Sequence, residues 1–509
     1  MKKIIVLFLL LSLLLTACGL QPNCSTMDTV GTTGIGCSQH QDRNDDGGCD
    51  NCAVSLLVPV KFYSINDLHG KLADGDSHIG VDELTAYWRN EQKYNNVVLL
   101  SAGDMWQGSS ESNMTQGQIL TDWMNDLGFA AMTLGNHEFD WGEAAIEANA
   151  ATAQFPILAI NIYDRDTNER VEYCDASTVV EFGNVQIGII GAMGDCYNSI
   201  AADKTQGVYF KVGDELTQLV KEESQRLRTE CGVDFIVYVL HDGYGSTTDA
   251  ENLSGNQISS YYDIDLSNGY VDLVFEGHSH QKYCFVDRYG VYHMQNRGDN
   301  KGGVSYAQVS INYITGTCRV EEAKSIATDQ YKNWDDDPIV EDLLEKYKEQ
   351  IAPAEKIVGY NSQYRSSQEL GQIVAQLYYE LGVATWGEEY TITMGGGSLS
   401  TRSPYNLAAG EVKYADLQSL FPFDNDIRLC AIEGSELKQW FIGKGDYYAM
   451  GADGPLKKED IQNDTIYYIV LDTWTADYDR IDLTVLKKYT PGIYARDLLA
   501  DFIAAGGLE

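Results

Sequence analysis

Residues 133–142 have the sequence TLGNHEFDWG, which places four polar side chains between two glycines: Asn136, His137, Glu138 and Asp140. A tight turn needs glycine and sometimes an asparagine, but it does not need a histidine beside an amide and carboxylates. The stretch follows an apolar run, so we expect it at the end of a buried strand. Its side chains are of the types that ligate metals and move protons.

Four other apolar runs end in the same way. Each is a candidate buried strand that releases Asp or His into a loop: VPVKFYSIND (58–67), NVVLLSAGD (96–104), DFIVYVLHD (234–242) and VDLVFEGHSH (271–280). In open α/β sheets, ligands bind outside the carboxyl ends of the strands. The repetition predicts a layered α/β domain over residues 59–332 with one site at its strand ends.

Length and charge restrict the classes of function. A chain of 509 residues is too long for one ordinary core, so two or more domains are expected. The net charge of −39 argues against binding a nucleic-acid polymer. An anionic small molecule would bind only where local cations or metal ions override that field, and the charge itself is accounted for by a soluble, self-repelling surface.

Residues 1–18 have the pattern of an export signal. Lys2 and Lys3 precede an apolar segment that is too short for a stable membrane span. The sequence LTAC resembles the lipobox of bacterial lipoproteins, which implies lipidation of Cys18 and a protein anchored to the outer face of the bacterial cell membrane. The alternative is a simple signal peptide with an incidental cysteine.

Residues 19–58 form a cysteine-rich acidic segment. Asp42, Asn44 and Asp46 alternate as in the opening of an EF-hand loop, although Ala53 stands where the loop's glutamate would be. With Asp50 and the neighbouring cysteines, the segment resembles a thrombospondin type 3 repeat, which would bind calcium. A disulfide-stapled linker that binds no ion is the alternative. The ten cysteines other than Cys18 predict disulfides, with their pairing open.

A connecting helix and a second domain follow. Residues 333–353 have helical spacing of apolar residues and end at Pro353, and residues 354–509 form a second mixed domain. Within that domain we predict a helix near 367–382, a glycine run at 395–397, and strands near 426–432 and 464–472.

The strand-end residues include five of the eight histidines of the chain. Mixed imidazole and carboxylate ligands suit zinc, manganese, iron, nickel or cobalt. A single DxH, GD or GHSH motif is weak, and a solvent-exposed loop explains each of them alone. GNHE after an apolar strand is stronger, and the five motifs together indicate one metal site.

The motifs DxH, GDxxxG, GNHE, a single His after a strand, and GHxH, in this order, resemble those of the calcineurin-type metallophosphoesterases. GNHEFDWG, together with FPFDN in the second domain, resembles bacterial 5′-nucleotidases and UDP-sugar hydrolases over residues 59–509. The resemblance implies a four-layer α/β/β/α sandwich, a mixed α/β substrate-binding domain, and two divalent metal ions such as Zn, Mn, Co or Mg.

The resemblance also implies a ligand set. One ion would be bound by Asp67, His69, Asp104 and His280, and the other by Asp104, Asn136, His241 and His278. Asp104 would bridge the ions, which together would supply hydroxide for in-line attack at phosphorus.

The same motifs imply catalytic roles within the turn. His137 would face the phosphoryl group rather than a metal and help the leaving oxygen depart, and Asp140 would orient and charge its ring. Glu138 is expected to be structural.

In the second domain, the resemblance implies a nucleoside clamp that includes Arg365, Arg402, Phe423 and Asn425. Trp474 is the candidate for its second stacking ring, and Asp477 or Asp479 would contact the ribose. Here FPFDN is similar to the family's PFGN, but Met394 replaces the Asn of its NGGGIR, and LDTWTADYD stands where GGDGY is usual. These differences affect specificity and leave the metal chemistry intact. For Trp474, a place in the core is the alternative.

The expected function is therefore that of a dinuclear-metal phosphohydrolase acting on extracellular nucleotides. The alternatives are a UDP-sugar pyrophosphatase or a 2′,3′-cyclic-nucleotide 2′-phosphodiesterase on the same scaffold, and a nucleotide-binding lipoprotein without turnover.

Overall fold

The computed structural model describes residues 40–51, 54–72, 80–243, 266, 268–298, 303–326, 334–399, 406–445, 447–477, 480–490 and 492–509. The predictions made for Cys18, Arg402 and Asp479 fall outside these ranges. Within the described ranges, no helix is long and apolar enough to cross a membrane.

The strands of the described residues are, in chain order, β1 (Leu57–Ile65), β2 (Asn96–Ser101), β3 (Ala131–Thr133), β4 (Ile157–Leu158), β5 (Ile162–Asp164), β6 (Ser177–Phe182), β7 (Val185–Met193), β8 (Val208–Phe210), β9 (Phe235–His241), β10 (Leu273–Glu276), β11 (Tyr283–Val286), β12 (Tyr292–Gln295), β13 (Val304–Asn312), β14 (Cys318–Ile326), β15 (Ile357–Asn361), β16 (Ile392–Gly397), β17 (Gly410–Lys413), β18 (Ile427–Glu433), β19 (Tyr448–Gly451), β20 (Gly454–Pro455), β21 (Ile466–Asp472) and β22 (Leu483–Lys488). The α-helices are α1 (Val81–Tyr94), α2 (Ser110–Met114), α3 (Gln118–Leu127), α4 (Glu143–Thr152), α5 (Asp214–Glu230), α6 (Ile339–Ile351), α7 (Ser367–Trp386), α8 (Tyr414–Leu420), α9 (Gly434–Trp440), α10 (Thr473–Ala476) and α11 (Ala495–Ala504).

Two six-stranded sheets form the first domain. Their strand orders are β14-β13-β1-β2-β3-β4 and β11-β12-β10-β9-β7-β6. Strands β1 to β4 run parallel to one another, as do β7, β9, β10 and β12. The five predicted strands are therefore confirmed, and they are divided between two sheets.

The sheets pack face to face through apolar side chains that need no polar partner. Val60, Phe62 and Leu100 of one sheet share a buried cluster with Val237 and Phe275 of the other. Burying each such side chain contributes about 1.5–3 kcal/mol relative to leaving it exposed. This cluster fixes the distance between the two sets of strand ends.

Helices cover the outer faces of both sheets. Trp88 of α1 and Trp123 of α3 pack with the outer side of the first sheet, and Leu343 of α6 joins the same cluster. Val220 and Leu227 of α5 cover the second sheet. The predicted four-layer α/β/β/α sandwich is confirmed.

The second domain is built on the sheet β20-β19-β16-β21-β18-β22. Helices α7 and α11 cover one face, where Val374 and Leu499 are fully buried. Leu437 of α9 belongs to a separate core on the other face. The predicted helix and strands of this domain are observed, with α7 continuing to Trp386.

Five cysteines of the two domains form no disulfides: Cys174, Cys196, Cys284, Cys318 and Cys430. The disulfides predicted from the even cysteine number are therefore not formed by these residues. Cys430 cannot pair with Cys174 or Cys196, because it lies in a core of the second domain and they lie in a core of the first. Burial raises the pKa of the Cys174 and Cys430 thiols.

Candidate active site

The strand ends of both sheets meet at one edge of the sandwich. Five residues there have a positive φ, which costs energy in residues other than glycine: Asp67 (51°), His69 (51°), Asp104 (54°), His278 (73°) and His280 (55°). All five are among the seven ligands predicted from the motifs. Strain concentrated in this way is typical of functional sites.

The first group of ligand-type side chains comprises Asp67, His69 and His280. Oδ1 of Asp67 lies 3.2 Å from Nε2 of His280, and that nitrogen lies 3.2 Å from Nε2 of His69. The backbone N–H of His278 donates to both carboxylate oxygens of Asp67, at 3.1 and 2.9 Å. The loop after β10 is thereby tied to the loop after β1, across the two sheets.

The second group comprises Asp104, Asn136, His241 and His278. Nε2 of His241 lies 3.2 Å from Oδ2 of Asp104 and 3.3 Å from Oδ1 of Asn136. The same amide oxygen lies 2.9 Å from Nδ1 of His278. Ligand atoms of Asp67, Asp104 and His241 lie within 4.8 Å of one another, so Asp104 adjoins both groups.

The donor set fits a pair of divalent metal ions. The Nδ1 atoms of His69 and His241 lie 3.0 and 2.6 Å from the backbone carbonyls of Gln107 and Ala102, which leaves both Nε2 atoms to face the centre. Gly135 is required here because a Cβ at this position would lie 2.2 Å from Oδ1 of Asp104. Buried carboxylates, an amide oxygen and imidazoles suit zinc, manganese or cobalt.

The charges of the site are strongly coupled. Burial alone would lower the pKa of His241, but Asp104 and Asp67 raise it to about 10. Burial, together with the charge of His241, lowers the pKa of His278 to about 4. Burial opposes ionisation of Asp104, yet the neighbouring histidines hold its pKa well below the usual value. The protonation of each of these side chains therefore depends on the charge of its neighbours.

Glu138 holds two of the site loops in register. Its carboxylate accepts backbone N–H groups of Gly135 (2.7 Å), Asp104 (2.8 Å), Met105 (2.8 Å) and Trp106 (3.2 Å). Burial and the charge of Asp104 raise the pKa of Glu138 to about 7. The structural role expected for Glu138 is thus to hold the backbone of Asp104 in place, and the motif alone does not reveal these contacts.

His137 lies beside the two groups of ligands rather than within them. Its Nδ1 lies 2.9 Å from Oδ2 of Asp140, as the proposed pair requires. The backbone N–H of His137 donates to Oδ1 of Asp104 at 2.9 Å. On its other side, the imidazole stacks on the ring of Phe423 from the second domain, with centroids 5.4 Å apart.

A cleft of about 310 Å³ opens beside His137 between the two domains. Among the residues predicted to bind substrate, Phe423, Asn425 and Trp474 line it. The side chain of Trp474 is on the surface, since the residue is 46% exposed, and this excludes the alternative that it belongs to the core.

The cleft also contains residues that the motifs did not indicate. Asp203 and Lys204 follow β7 and approach from the first domain. Lys204 is the one lysine or arginine among the described residues that line the cleft. No sequence signal marked this loop, because its residues form no metal-binding or catalytic motif.

Arg365 lies elsewhere. It pairs with Leu407 in an isolated bridge, and its Nε donates to Oδ1 of Asn361 at 3.5 Å. The structure therefore does not place Arg365 among the residues that line the cleft, and its predicted contact with substrate stays a prediction.

The candidate calcium loop is held by hydrogen bonds of its own. Asp42 is buried and accepts the backbone N–H of Gly47 at 2.9 Å and the side-chain amide of Asn312 at 2.6 Å. Asn44 donates to Asp46 at 2.8 Å, and Asp50 accepts the backbone N–H of Arg43 at 2.8 Å. Calcium binding by this loop, with the linker as its alternative, stays a prediction.

Comparisons with known proteins agree with both domains. Residues 60–282 match the family described as calcineurin-like phosphoesterase, and residues 350–469 match the 5′-nucleotidase C-terminal domain. An apyrase from Tabanus yao is 25% identical over 75% of this chain and 73% of its own length. A 5′-nucleotidase from Vibrio cholerae is 24% identical over 77% of each.

The fold has a similar counterpart among solved structures. A 5′-nucleotidase precursor from Thermus thermophilus superposes with a TM-score of 0.64 at 15% identity, over 88% of this chain and 96% of that one. With a metal-ligand centre in the first domain and an aromatic cleft against the second, the chain belongs to the two-domain 5′-nucleotidase family of metal-dependent phosphoric monoester hydrolases.

Proposed function

We propose that the protein releases phosphate from nucleotides in the manner of a 5′-nucleotidase. One observation carries the proposal: the pair of His137 and Asp140 stands between the clustered ligand-type side chains and a cleft walled by Phe423 and Trp474. A phosphate at the metal centre and an aromatic base in the cleft would thus lie on opposite sides of a proton-transferring group.

Two bound divalent ions would polarise the phosphoryl group and lower the pKa of the attacking water. Asp104, adjoining both groups, would bridge them, with Asp67, His69 and His280 on one side and Asn136, His241 and His278 on the other. Glu138 would keep Asp104 in place through its four backbone contacts.

His137 would assist departure of the ester oxygen. Asp140 engages Nδ1, so Nε2 is the nitrogen that faces substrate. A proton held at Nε2 would be donated to the leaving oxygen, while the carboxylate of Asp140 stabilises the charged ring. An intact pair of this kind argues for turnover and against a protein that only captures nucleotides.

The cleft residues would select the nucleoside. Phe423 and Trp474 offer aromatic faces, on which any base stacks. Asn425 offers both a donor and an acceptor to a base edge. Arg402 and Asp479 are proposed as further contacts on the basis of the motif resemblance alone.

The decisive experiment identifies the products that the metal-loaded protein forms from nucleoside mono-, di- and triphosphates, UDP-sugars and 2′,3′-cyclic nucleotides, each with Zn²⁺, Mn²⁺, Co²⁺ and Mg²⁺. Free phosphate reports cleavage of a terminal phosphate, UMP with a sugar 1-phosphate reports cleavage of a UDP-sugar, and a nucleoside monophosphate reports opening of a cyclic nucleotide. Nucleoside 5′-monophosphates should give the highest kcat/KM. Preference for a UDP-sugar or a cyclic nucleotide would replace this assignment, and tight binding without release would indicate a capturing protein.

We also propose, from residues 1–18, that the protein is exported and lipid-anchored through Cys18. Cells that express the chain should carry it in the membrane fraction and label it with fatty acid. A Cys18→Ser variant that is membrane-bound and labelled like the wild type would contradict this.

A further inference from the structure

The loop that carries Phe423 to His137 is held by one buried arginine from another part of the second domain. Arg496 lies in the first turn of α11 and is 5% exposed. Its NH1 group donates to the carbonyls of Phe421 (3.2 Å) and Phe423 (3.0 Å), and its NH2 group forms an ion pair with Asp424. One guanidinium therefore binds three sites along the loop.

The guanidinium is itself fixed from the opposite side. Its Nε donates to the hydroxyl of Tyr414 at 3.2 Å, and Tyr414 donates to Asp497 at 2.6 Å. The planar group also lies over the ring of Tyr494, 4.6 Å from its centroid. A planar fork with its partners arranged in this way has little freedom, which lysine could not reproduce.

The helix gains nothing electrostatically from this residue. A cation in the first turn of a helix is disfavoured by the helix dipole. Burying a charge is also unfavourable unless it is paired and hydrogen-bonded. The position is therefore better explained by what Arg496 does for the loop than by a contribution to α11.

The partner of Arg496 stands where this chain departs from the motif that the loop resembles. In the motif PFGN of the resembling nucleotidases, the third position is glycine, and here it is Asp424. The aspartate supplies the charge that the arginine needs, and both residues line a second cavity of about 350 Å³ behind the loop. Arg496 and the loop that carries Phe423 thus form one packed unit across from His137.

We propose that Arg496 is a positioning residue that, through Asp424 and the carbonyls of Phe421 and Phe423, sets the Phe423 ring at the height needed to clamp a nucleobase beside His137. The inference rests on the proposed function. It assigns base selectivity to a residue that touches neither base nor metal.

The test compares two substrates that share a sugar phosphate, adenosine 5′-monophosphate and ribose 5-phosphate, of which only the first carries a base. Arg496→Met should lower the ratio of their kcat/KM values about tenfold, the scale of one lost stacking contact, through a higher KM for the nucleotide. Arg496→Lys should recover part of the ratio because it retains the charge opposite Asp424 but not the fork. Arg228→Met is the matched control, since it breaks the ion pair with Asp272 in the first domain and should leave the ratio unchanged.

A double-variant cycle separates positioning from general stability. In a Phe423→Ala background, Arg496→Met should lower the ratio little further, because both changes remove the same clamp. Calorimetric binding of adenosine to the metal-loaded protein gives a readout without turnover, and Arg496→Met should weaken it about tenfold. Circular dichroism and melting identify a misfolded variant, in which case Arg496→Lys decides by the same measures.

An unchanged ratio of kcat/KM values and an unchanged adenosine affinity in Arg496→Met would refute the positioning role of Arg496. If the methionine variant misfolds, the same results in Arg496→Lys would refute it. So would fully additive losses with Phe423→Ala, or a wild-type protein that binds no adenosine. Failure of the wild type to release phosphate from adenosine 5′-monophosphate while adenosine still binds would instead overturn the proposed function.

Discussion

The two domains that meet at the cleft hold their functional side chains in different ways. In the first domain, short loops at parallel strand ends carry the residues, and the strain of their positive φ values is opposed by buried hydrogen bonds such as those of Glu138. In the second, Phe423 depends on Arg496, which is far away in sequence. The chemistry is thus encoded locally, whereas substrate selection depends on packing between distant segments.

The largest loss of activity is expected from a change at Asp104 in the first domain, because this residue adjoins both groups of ligand-type side chains. Asp104→Asn should remove metal from both positions. It should lower kcat/KM by more than roughly 100-fold, which is the loss expected when a residue that only hydrogen-bonds to a metal ligand is removed. Elemental analysis and turnover are measured on the same preparation. Two fully retained ions would contradict the bridging role.

His137 should separate catalysis from metal binding. His137→Ala is expected to keep its metal content and to lose about 10²–10⁴-fold in kcat, the usual contribution of a positioned proton donor. Asp140→Asn should lose less, because the ring remains but is less well oriented.

The double variant should be little worse than His137→Ala, since the two residues act as one unit. Multiplicative losses, or a missing ion in His137→Ala, would refute the assignment.

The two domains also differ in how far their functional residues could be predicted from the sequence. The strand ends, the clustering of ligand-type side chains and the contact of His137 with Asp140 could be predicted because each motif is contiguous and follows an apolar run. The connection of the two sheets was not, because the hydrogen bonds between Asp67 and His278 join residues separated by most of the first domain.

The second domain shows the limit more clearly. FPFDN marked Phe423, but no local pattern connected it to Arg496, and Lys204 entered the cleft from an unmarked loop. Arg365 matched a motif and yet lies against Asn361. A contact formed by tertiary packing leaves no periodic or contiguous signal, so only the fold reveals it.

A buried histidine of the first domain should make the folding stability depend on pH. His293 of β12 lies between Glu276 and Asp287, with 3.3 and 3.2 Å between their charged atoms. Burial would lower the pKa of His293, but these partners raise it to about 9. Because the folded pKa exceeds the unfolded value, its stabilisation is complete below about pH 6.5 and is lost as pH rises through about 9.

This rise corresponds to about 3 kcal/mol of folding stability. Denaturant unfolding at pH 6 and pH 10 should show a larger loss for wild type than for His293→Gln. Arg226→Met, which breaks a half-buried ion pair of α5 with Glu223, is the control and should keep the wild-type difference. Equal pH slopes in wild type and His293→Gln would exclude a charged His293.

The smallest expected effects belong to the aromatic walls of the cleft, and they compare its two rings. Trp474 is 46% exposed, so Trp474→Ala should leave the melting temperature nearly unchanged and raise KM for nucleotides about tenfold. Phe423→Ala should raise KM similarly and also change kcat, because its ring stacks on His137. Hydrolysis of ribose 5-phosphate separates the two, since Trp474→Ala should not affect it and Phe423→Ala should. If both variants lost activity equally on both substrates, the division between a catalytic first domain and a selecting second domain would be wrong.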